Sequence, residues 1–146
     1  MPAILHFTDE YRWLSNFYPC TIRFRGKLYA SVEYAYMSAK SDDKEWKRIC
    51  SEAKEKQSKI KKKSQQVKTV AHWELQKLDV MRECLELKFA QEPFKTWLVE
   101  TGEAHLQEGN TWGDTFWGVD LETGEGENIL GKFIMEIREK LRTDLP

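Results

Sequence analysis

A short segment rich in glycine and tryptophan, residues 109–118, holds one acidic side chain that is placed for chemistry. Its sequence is GNTWGDTFWG, and Asp114 stands between two Trp-Gly pairs. A carboxylate beside indole rings can stabilise positive charge or move a proton while the rings pack against a flat ligand. The ordinary alternative is a turn whose indole rings are anchored in the core, and this segment taken alone slightly favours that alternative.

A second acidic residue, Glu33, is predicted to lie in the first turn of a helix. Ser31 is a suitable N-cap, and apolar residues repeat at helical spacing from Val32 to about Ser41. The helix dipole and the free N–H groups of that turn favour an ionised carboxylate. Glutamate is also common in first turns that have no catalytic role, so this acid too has an ordinary structural explanation.

Motifs for other kinds of chemistry are incomplete or missing in the sequence. Residues 126–133 match the first seven positions of a phosphate-binding P-loop, but Phe133 replaces the Ser or Thr that would bind magnesium. The three histidines have no compact metal-binding spacing, and no Ser or Cys lies in a recognisable nucleophile motif. We therefore expect no metal and no other cofactor.

The overall composition is typical of a single globular domain that spans residues 1–146. Six tryptophans and 12% aromatic residues favour a packed core. A net charge of -1 argues against a protein that coats nucleic acid. The sequence has no run of 18 apolar residues, and its three cysteines form no C-x-x-C pair. We expect no membrane partner, reduced thiols and a cytoplasmic location.

The elements that must position the two acids are predicted to be an N-terminal hairpin followed by helices. Residues 4–7 are a short strand candidate. Apolar residues alternate with polar ones on both sides of Gly26-Lys27, which suits a two-residue loop of type II′. Residues 13–19 are expected to form a loop that ends at a proline.

Further helices are predicted after the one that begins at Val32. Residues 42–63 keep an amphipathic helical spacing despite their high charge, and residues 72–91 and 94–101 continue the helical pattern. Asn128 is the predicted N-cap of the last helix. The fold class is therefore α+β, mostly helical, with a small N-terminal antiparallel sheet.

An ordered series of short motifs resembles the YbiA/NADAR family. The pieces follow the family's order and spacing from about residue 7 to residue 141, and the set is specific although no single piece is. They are Leu14-Ser15-Asn16-Phe17-Tyr18-Pro19; Ser31-Val32-Glu33-Tyr34 with Lys40; Trp73-Glu74 with Val80-Met81 and Lys88-Phe89; Thr101-Gly102, Leu106 and Glu108; Asp114-Thr115-Phe116-Trp117-Gly118; and Gly126-x-Asn128-x-Leu130-Gly131 with Met135 and Arg138.

The resemblance implies an N-glycosidase with a YbiA-like single domain, an enzyme that cleaves the bond between ribose C1′ and a nitrogen. One branch of the family is described as acting on early, phosphorylated intermediates of riboflavin synthesis. Another is linked to ADP-ribose chemistry, including removal of ADP-ribose from guanine. Glu33 becomes the main catalytic candidate and Asp114 the second. The positions that the resemblance implies for substrate binding are Asn16, Phe17, Tyr36, Lys40, Trp73, Trp117, Gly118 and Asn128.

These residue types suit that reaction. Breaking a C1′–N bond builds positive charge on the sugar, which a carboxylate stabilises, or the carboxylate orients the attacking water. A second acid supplies a proton to the departing base, and indole faces stack on that base. We expect Glu33 and Asp114 to converge on one cleft walled by Trp73 and Trp117, with the division of roles between the two acids left open.

One departure from the family concerns phosphate binding. Members tend to carry a Gly-Arg pair and a further arginine where this chain has Ser64-Gln65 and Val70. Lysines at 61, 62, 63 or 68 are the candidates to replace those guanidinium groups, although they lack the bidentate fork.

Two alternatives to a hydrolase of small ribosyl or nucleotide substrates stay open. The first is a module that binds ADP-ribose or a related nucleotide without cleaving it. The second is a hydrolase of ADP-ribosylated nucleic acid that docks its substrate on the lysine-rich residues 54–63. The charged run is more often a solvated helix face, and the sequence leaves the oligomeric state unknown.

Overall fold

The computed structural model describes residues 3–144 and divides them into two compact units. The central unit comprises residues 16–88, and the terminal unit comprises residues 3–15 and 89–144. Helices dominate both units and sheet pairing is confined to short segments, which confirms the predicted fold class. Within residues 3–144, no helix is both long and apolar enough to cross a membrane. The single domain over residues 1–146 stays a prediction.

The central unit consists of a hairpin followed by helices. Its elements are β1 (Ile22–Phe24), β2 (Lys27–Tyr29), α1 (Val32–Ser38), α2 (Lys44–Glu52), α3 (Gln57–Lys63) and all but the last residue of α4 (Trp73–Phe89). Helix α1 contacts both strands, α2 and α3. Because its neighbours hold it on several sides, α1 is a firm support for Glu33.

The antiparallel hairpin forms where it was predicted, but its loop lies one residue earlier. Phe24 pairs with Lys27, so Arg25 and Gly26 make the two-residue loop. Both loop residues have positive φ values, 50° and 88°, which define a type I′ turn. The prediction of a type II′ loop at Gly26-Lys27 was wrong because Arg25 adopts a left-handed conformation that the sequence pattern does not reveal.

The highly charged segment after α1 forms two helices with a break between them. Helix α2 ends at Glu52, the next residue, Ala53, has a left-handed φ of 52°, and α3 begins at Gln57. Trp46, Cys50 and Ile60 are buried, as their spacing predicted. The apolar spacing continues across the break, and for that reason the sequence alone suggested one uninterrupted helical pattern.

The terminal unit holds the remaining elements. They are a 3-10 helix (Asp9–Leu14), α5 (Phe94–Glu100), β3 (Gly109–Asn110), β4 (Val119–Asp120) and α6 (Ile129–Thr143). Helix α5 packs on α6, and Leu98 and Ile134 are fully buried. Helices α4 and α5 begin and end within two residues of the predicted positions, and α6 begins directly after Asn128, where its start was predicted.

Two short pairings in the terminal unit differ from the prediction. The strand expected at residues 4–7 is only an isolated bridge between Ile4 and Leu106. Strands β3 and β4 pair in parallel over two residues each, at the two ends of the tryptophan-rich segment. Neither pairing is long enough to leave an alternating pattern in the sequence.

Candidate active site

Glu33 is a buried carboxylate at the start of α1. Its side chain is carried by the second residue of the helix, and the residue is only 7% exposed. Its backbone N–H donates to the carbonyl of Asn16 at 3.1 Å. Ser31 caps the helix as predicted, since its Oγ accepts from the N–H of Tyr34 at 3.2 Å. The position of this acid is therefore fixed by the cap on one side and by the Asn16 loop on the other.

Asn16, whose backbone carbonyl accepts from Glu33 N–H, has a side-chain oxygen without a hydrogen-bond donor in the described residues. The residue is 7% exposed, and its Nδ2 donates only to the sulfur of Met81 at 3.5 Å. Its Oδ1 is buried and has no hydrogen-bond partner among the residues that the structure describes. A buried acceptor without a donor costs free energy, about 1–3 kcal/mol. The amide oxygen can therefore accept a hydrogen bond from a ligand hydroxyl or N–H group.

An aromatic pair lies on the same side of α1 as Glu33. Tyr36 is three residues after the acid, and its ring centre lies 5.3 Å from that of Trp73 at an interplanar angle of 49°. Both residues are half-buried. The pair joins the first residue of α4 to the Glu33 side of α1, and the role of Trp73 in a binding wall stays a prediction.

Lys40 and Phe17 complete the predicted residues of the central unit. Lys40 follows the end of α1, its carbonyl accepts from Val70 N–H at 2.9 Å, and burial lowers the pKa of its ammonium group against the opposing effect of Glu74. Phe17 is 39% exposed, and its carbonyl accepts from Gln57 Nε2 at 2.9 Å. Six predicted site residues thus belong to this unit.

Asp114 folds the tryptophan-rich loop of the terminal unit. Its Oδ1 accepts from the N–H groups of Phe116 and Trp117, at 3.1 and 2.9 Å. The buried amide of Asn110 holds the same residue, because its Oδ1 accepts from Asp114 N–H and its Nδ2 donates to the Asp114 carbonyl. One carboxylate oxygen therefore belongs to the turn. Asn110 was missed by sequence reasoning, since an asparagine in a loop carries no distinguishing signal.

Trp117 is packed by two aromatic neighbours. Its ring centre lies 4.9 Å from that of Phe116 and 6.5 Å from that of Phe133, both in edge-to-face geometry. Trp112, in the same loop, is 65% exposed. The loop thus packs one indole ring against aromatic neighbours and leaves the other in solvent, so the ordinary alternative of core-anchored indole rings does not describe Trp112.

Gly118 lies where no side chain fits. A Cβ there would overlap the backbone oxygen and Oε2 of Glu108, and would lie 2.8 Å from Asn110 Nδ2. The Gly118 carbonyl accepts from Asn128 N–H at 3.2 Å. The glycine therefore permits the close approach of the Asp114 loop to the segment before α6.

Replacing Gly118 with alanine is expected to lower the free energy of unfolding by about 3 kcal/mol, because the Glu108 backbone and the buried Asn110 amide must move away from the added Cβ. Gly113→Ala is the matched control, since it adds a Cβ in open space at a φ of 81° and should cost about 1–2 kcal/mol for the left-handed conformation alone. Urea unfolding of both variants measures the difference. Equal losses would show that the close approach at Gly118 is not a constraint.

Asn128 occupies the predicted helix start but not the predicted capping role. It has a φ of 51°, and its side chain forms no cap on α6. Its Oδ1 accepts from Glu108 N–H at 3.0 Å and its Nδ2 donates to the Leu106 carbonyl at 2.9 Å. The side-chain amide instead holds residues 106 and 108, so the predicted capping hydrogen bond from Asn128 to α6 does not form. The terminal unit thus brings four predicted site residues together. Asp114, Trp117 and Gly118 lie in the tryptophan-rich loop, and Asn128 is hydrogen-bonded to it through the Gly118 carbonyl.

Lys88, which belongs to one of the matching motifs, is fully buried in α4. Its Nζ lies 6.0 Å from the centre of the Tyr18 ring. Burial lowers the pKa of this ammonium to about 8, and Cys20 partly opposes the shift. A lysine in an unfolded chain titrates near ~10.4, so between these two values the folded state binds fewer protons than the unfolded state. The contribution of Lys88 to stability therefore rises as the pH increases through this range.

Lys88→Met is expected to remove that pH dependence. Between about pH 8 and pH 10, the unfolding free energy of the wild type should rise relative to that of the variant by up to ~1.4 kcal/mol per pH unit. Below about pH 8 the two curves should run parallel, because Lys88 is then protonated in both the folded and the unfolded state. Denaturant unfolding at a series of pH values measures the difference. Parallel curves over the whole range would contradict a depressed pKa for Lys88.

The cysteines do not offer a reactive thiolate. Cys50 and Cys84 are fully buried, and all three cysteines are free thiols as predicted. Burial raises the pKa of the Cys50 thiol to about 12 and also raises that of Cys84. Such thiols stay protonated at neutral pH and are poor nucleophiles. The carboxylates remain the candidate catalytic groups.

A family model described as the NADAR domain matches residues 5–142, and the chain belongs to this family. The solved structure of the Escherichia coli protein YbiA, determined by NMR, is similar with a TM-score of 0.83 and 27% identity, covering 97% of this chain and 84% of that one.

The curated relatives of this chain include proteins named as N-glycosidases and a protein named for riboflavin biosynthesis. N-glycosidase YbiA of Escherichia coli is 31% identical over 136 residues, which cover 92% of this chain and 84% of that protein. A riboflavin biosynthesis protein of Vibrio vulnificus is 32% identical over 148 residues, covering 99% of this chain. An N-glycosidase of Acanthamoeba polyphaga mimivirus is 34% identical over 98 residues, covering 58% of this chain and 57% of that protein. This chain spans only 40% of the length of the Vibrio protein. The similarity supports a hydrolase of N-glycosyl compounds.

Proposed function

We propose that this chain hydrolyses the C1′–N bond of a phosphorylated ribosyl-base of the type met early in riboflavin synthesis. The observation that carries the proposal is the similarity, over more than nine-tenths of this chain, to relatives named for N-glycosidase activity and for riboflavin biosynthesis. The buried carboxylate at the start of α1 supplies the chemical group that such a reaction requires.

Glu33 is the proposed group at C1′. As the C1′–N bond lengthens, positive charge develops on the sugar, and a fixed carboxylate stabilises it or takes a proton from the attacking water. Burial limits the contact of this residue with bulk solvent, which strengthens the interaction of its carboxylate with a nearby charge. The Asn16 backbone bond and the Ser31 cap keep the acid in place during the reaction.

The neighbours of Glu33 are proposed to hold the substrate. The unsatisfied Oδ1 of Asn16 accepts a hydrogen bond from a sugar hydroxyl. The half-buried Tyr36–Trp73 pair offers an aromatic surface for the base, and stacking of this kind is worth about 1–3 kcal/mol per base. Lys40, which lies at the end of the same helix, adds a positive charge for an anionic substrate.

Asp114 is proposed as the second polar group of the reaction, with Trp117, Gly118 and Asn128 maintaining its loop. Its Oδ1 is committed to two backbone N–H groups, which fixes the carboxylate plane. In that orientation the other oxygen is the one that exchanges a proton with the leaving base.

A substrate panel tests the proposal. A phosphorylated ribosyl-base intermediate, ADP-ribosylated guanosine and an ADP-ribosylated oligonucleotide are each incubated with the protein, and mass spectrometry follows the release of free base. We expect the first substrate to be cleaved with the highest kcat/KM. Binding of ADP-ribose by calorimetry without any product would favour a binding module instead. Preferential cleavage of the oligonucleotide, with a steep dependence on salt, would favour a nucleic-acid substrate.

A further inference from the structure

Helix α3 is hydrogen-bonded to the loop of residues 16–19, which carries Phe17 and is called the motif loop below, and to the start of α1. Gln57, its first residue, donates from Nε2 to the Phe17 carbonyl at 2.9 Å. The Oε1 of the same amide accepts from Ser31 Oγ at 2.7 Å, and Ser31 is the fully buried cap of the helix that carries Glu33. One glutamine side chain therefore fixes α3 against both segments.

Lys61 lies one helical turn after Gln57, on the side of α3 that faces the motif loop. Its Nζ lies 5.8 Å from the centre of the Phe17 ring, which places the ammonium over an aromatic face. Such a contact is worth about 0.5–1 kcal/mol at an exposed site, enough to bias the side chain toward one position. Phe17 is 39% exposed and Lys61 is exposed, so both side chains are accessible to a ligand.

Two other lysines of α3, Lys59 and Lys63, lie close to the carboxylate of Glu55. Lys63 forms an ion pair with Glu55 at 2.7 Å, and Lys59 lies 4.0 Å from the same carboxylate. Lys61 forms no ion pair with any acidic side chain in residues 3–144. Lys62 is exposed and likewise forms no ion pair within these residues, but of the two it is Lys61 that lies over the Phe17 ring. Lys61 is therefore the lysine of α3 that offers an unpaired charge at a defined position.

We propose that Lys61, positioned by Phe17, binds the phosphate of the ribosyl substrate and makes the protein selective for phosphorylated ribosides. This inference rests on the proposed function and extends it to a specific subsite. An ammonium group has three donors for phosphate oxygens, and its charge is compact. The two Gln57 bonds fix α3, which carries Lys61, to the Phe17 backbone and to the cap of the helix that carries Glu33.

Binding of ribose 5-phosphate and of ribose tests the subsite without depending on catalysis. Lys61→Gln is expected to weaken the Kd for ribose 5-phosphate about tenfold, the loss that corresponds to one hydrogen bond to a charged group. Lys61→Arg should retain most of the affinity. Lys62→Gln is the matched control, because it removes an exposed charge from the adjacent position and should change Kd less than about twofold. Affinity for ribose should be the same in all four proteins.

Equal weakening by Lys61→Gln and Lys62→Gln would overturn the proposal, and so would a wild type that binds ribose as tightly as ribose 5-phosphate. In turnover assays with a matched pair of phosphorylated and dephosphorylated ribosides, Lys61→Gln should raise KM for the phosphorylated member alone. A protein that cleaves ribosides without regard to Lys61 would retain the proposed function and lose the subsite. Selective binding that depends on Lys61, without any cleavage, would retain the subsite and end the proposed function.

Discussion

Glu33→Gln is expected to lower kcat/KM for a ribosyl substrate by about 10³-fold while the protein stays folded. Glutamine has nearly the same shape, so the packing around the buried side chain is retained. The amide carries no charge to stabilise the developing cation and cannot take a proton from water. Loss of a negative charge from the first turn of α1 should cost only about 0.3–1 kcal/mol of stability. Initial rates and urea unfolding measure the two quantities.

Helix α2 provides a matched control for this variant. Glu45 is the second residue of α2, as Glu33 is of α1, but it is exposed and pairs with Arg48. Glu45→Gln should therefore leave kcat/KM unchanged and have a similarly small effect on stability. Full activity in Glu33→Gln, or an equal loss in both variants, would remove the acid from the proposed mechanism.

Asp114→Asn is expected to reduce kcat/KM by about 10²-fold without opening the loop. The asparagine Oδ1 can still accept from the N–H groups of Phe116 and Trp117, so the turn is kept. What the substitution removes is the negative charge and the capacity to exchange a proton, which general acid–base catalysis requires. Asp114→Ala removes the turn bonds as well, and should lower the free energy of unfolding by about 1–3 kcal/mol.

The same unit contains a suitable control for the Asp114 variants. Asp120 also uses its Oδ1 in a turn, accepting from Glu122 N–H at 2.8 Å. Asp120→Asn should keep both stability and activity. If Asp114→Asn behaves like Asp120→Asn while Asp114→Ala loses activity, the acid is a turn residue and the second catalytic role must be assigned elsewhere.

Local patterns predicted the helical supports of the candidate site well. Ser31 caps α1 as its residue type indicated, and the apolar spacing after Asn128 located α6. Such features depend on residues a few positions apart, so a single sequence reveals them. The resemblance to the NADAR family is confirmed by the match over residues 5–142, which required the order of many short motifs.

Features that depend on contacts between distant residues could not be predicted. The role of Asn128 in holding residues 106 and 108 overrides its capping propensity, and the left-handed Ala53 divides a continuous apolar pattern. The lysine-rich residues 54–63 are a further case in which contacts between distant residues could not be predicted. Its sequence does not reveal that Glu55 neutralises Lys63 while Lys61 lies over Phe17. The convergence of Glu33 and Asp114 on one cleft stays a prediction, which the paired variants above address.

The most direct test of the account is the product stoichiometry of a single reaction. The wild-type protein is incubated with a phosphorylated ribosyl-base, and free base and ribose 5-phosphate are quantified together by mass spectrometry. Hydrolysis of the C1′–N bond predicts that both products appear in equal amounts, at a rate that Glu33→Gln lowers by about 10³-fold. Recovery of intact substrate after long incubation with saturating protein, despite measurable binding, would contradict the assignment as an N-glycosidase.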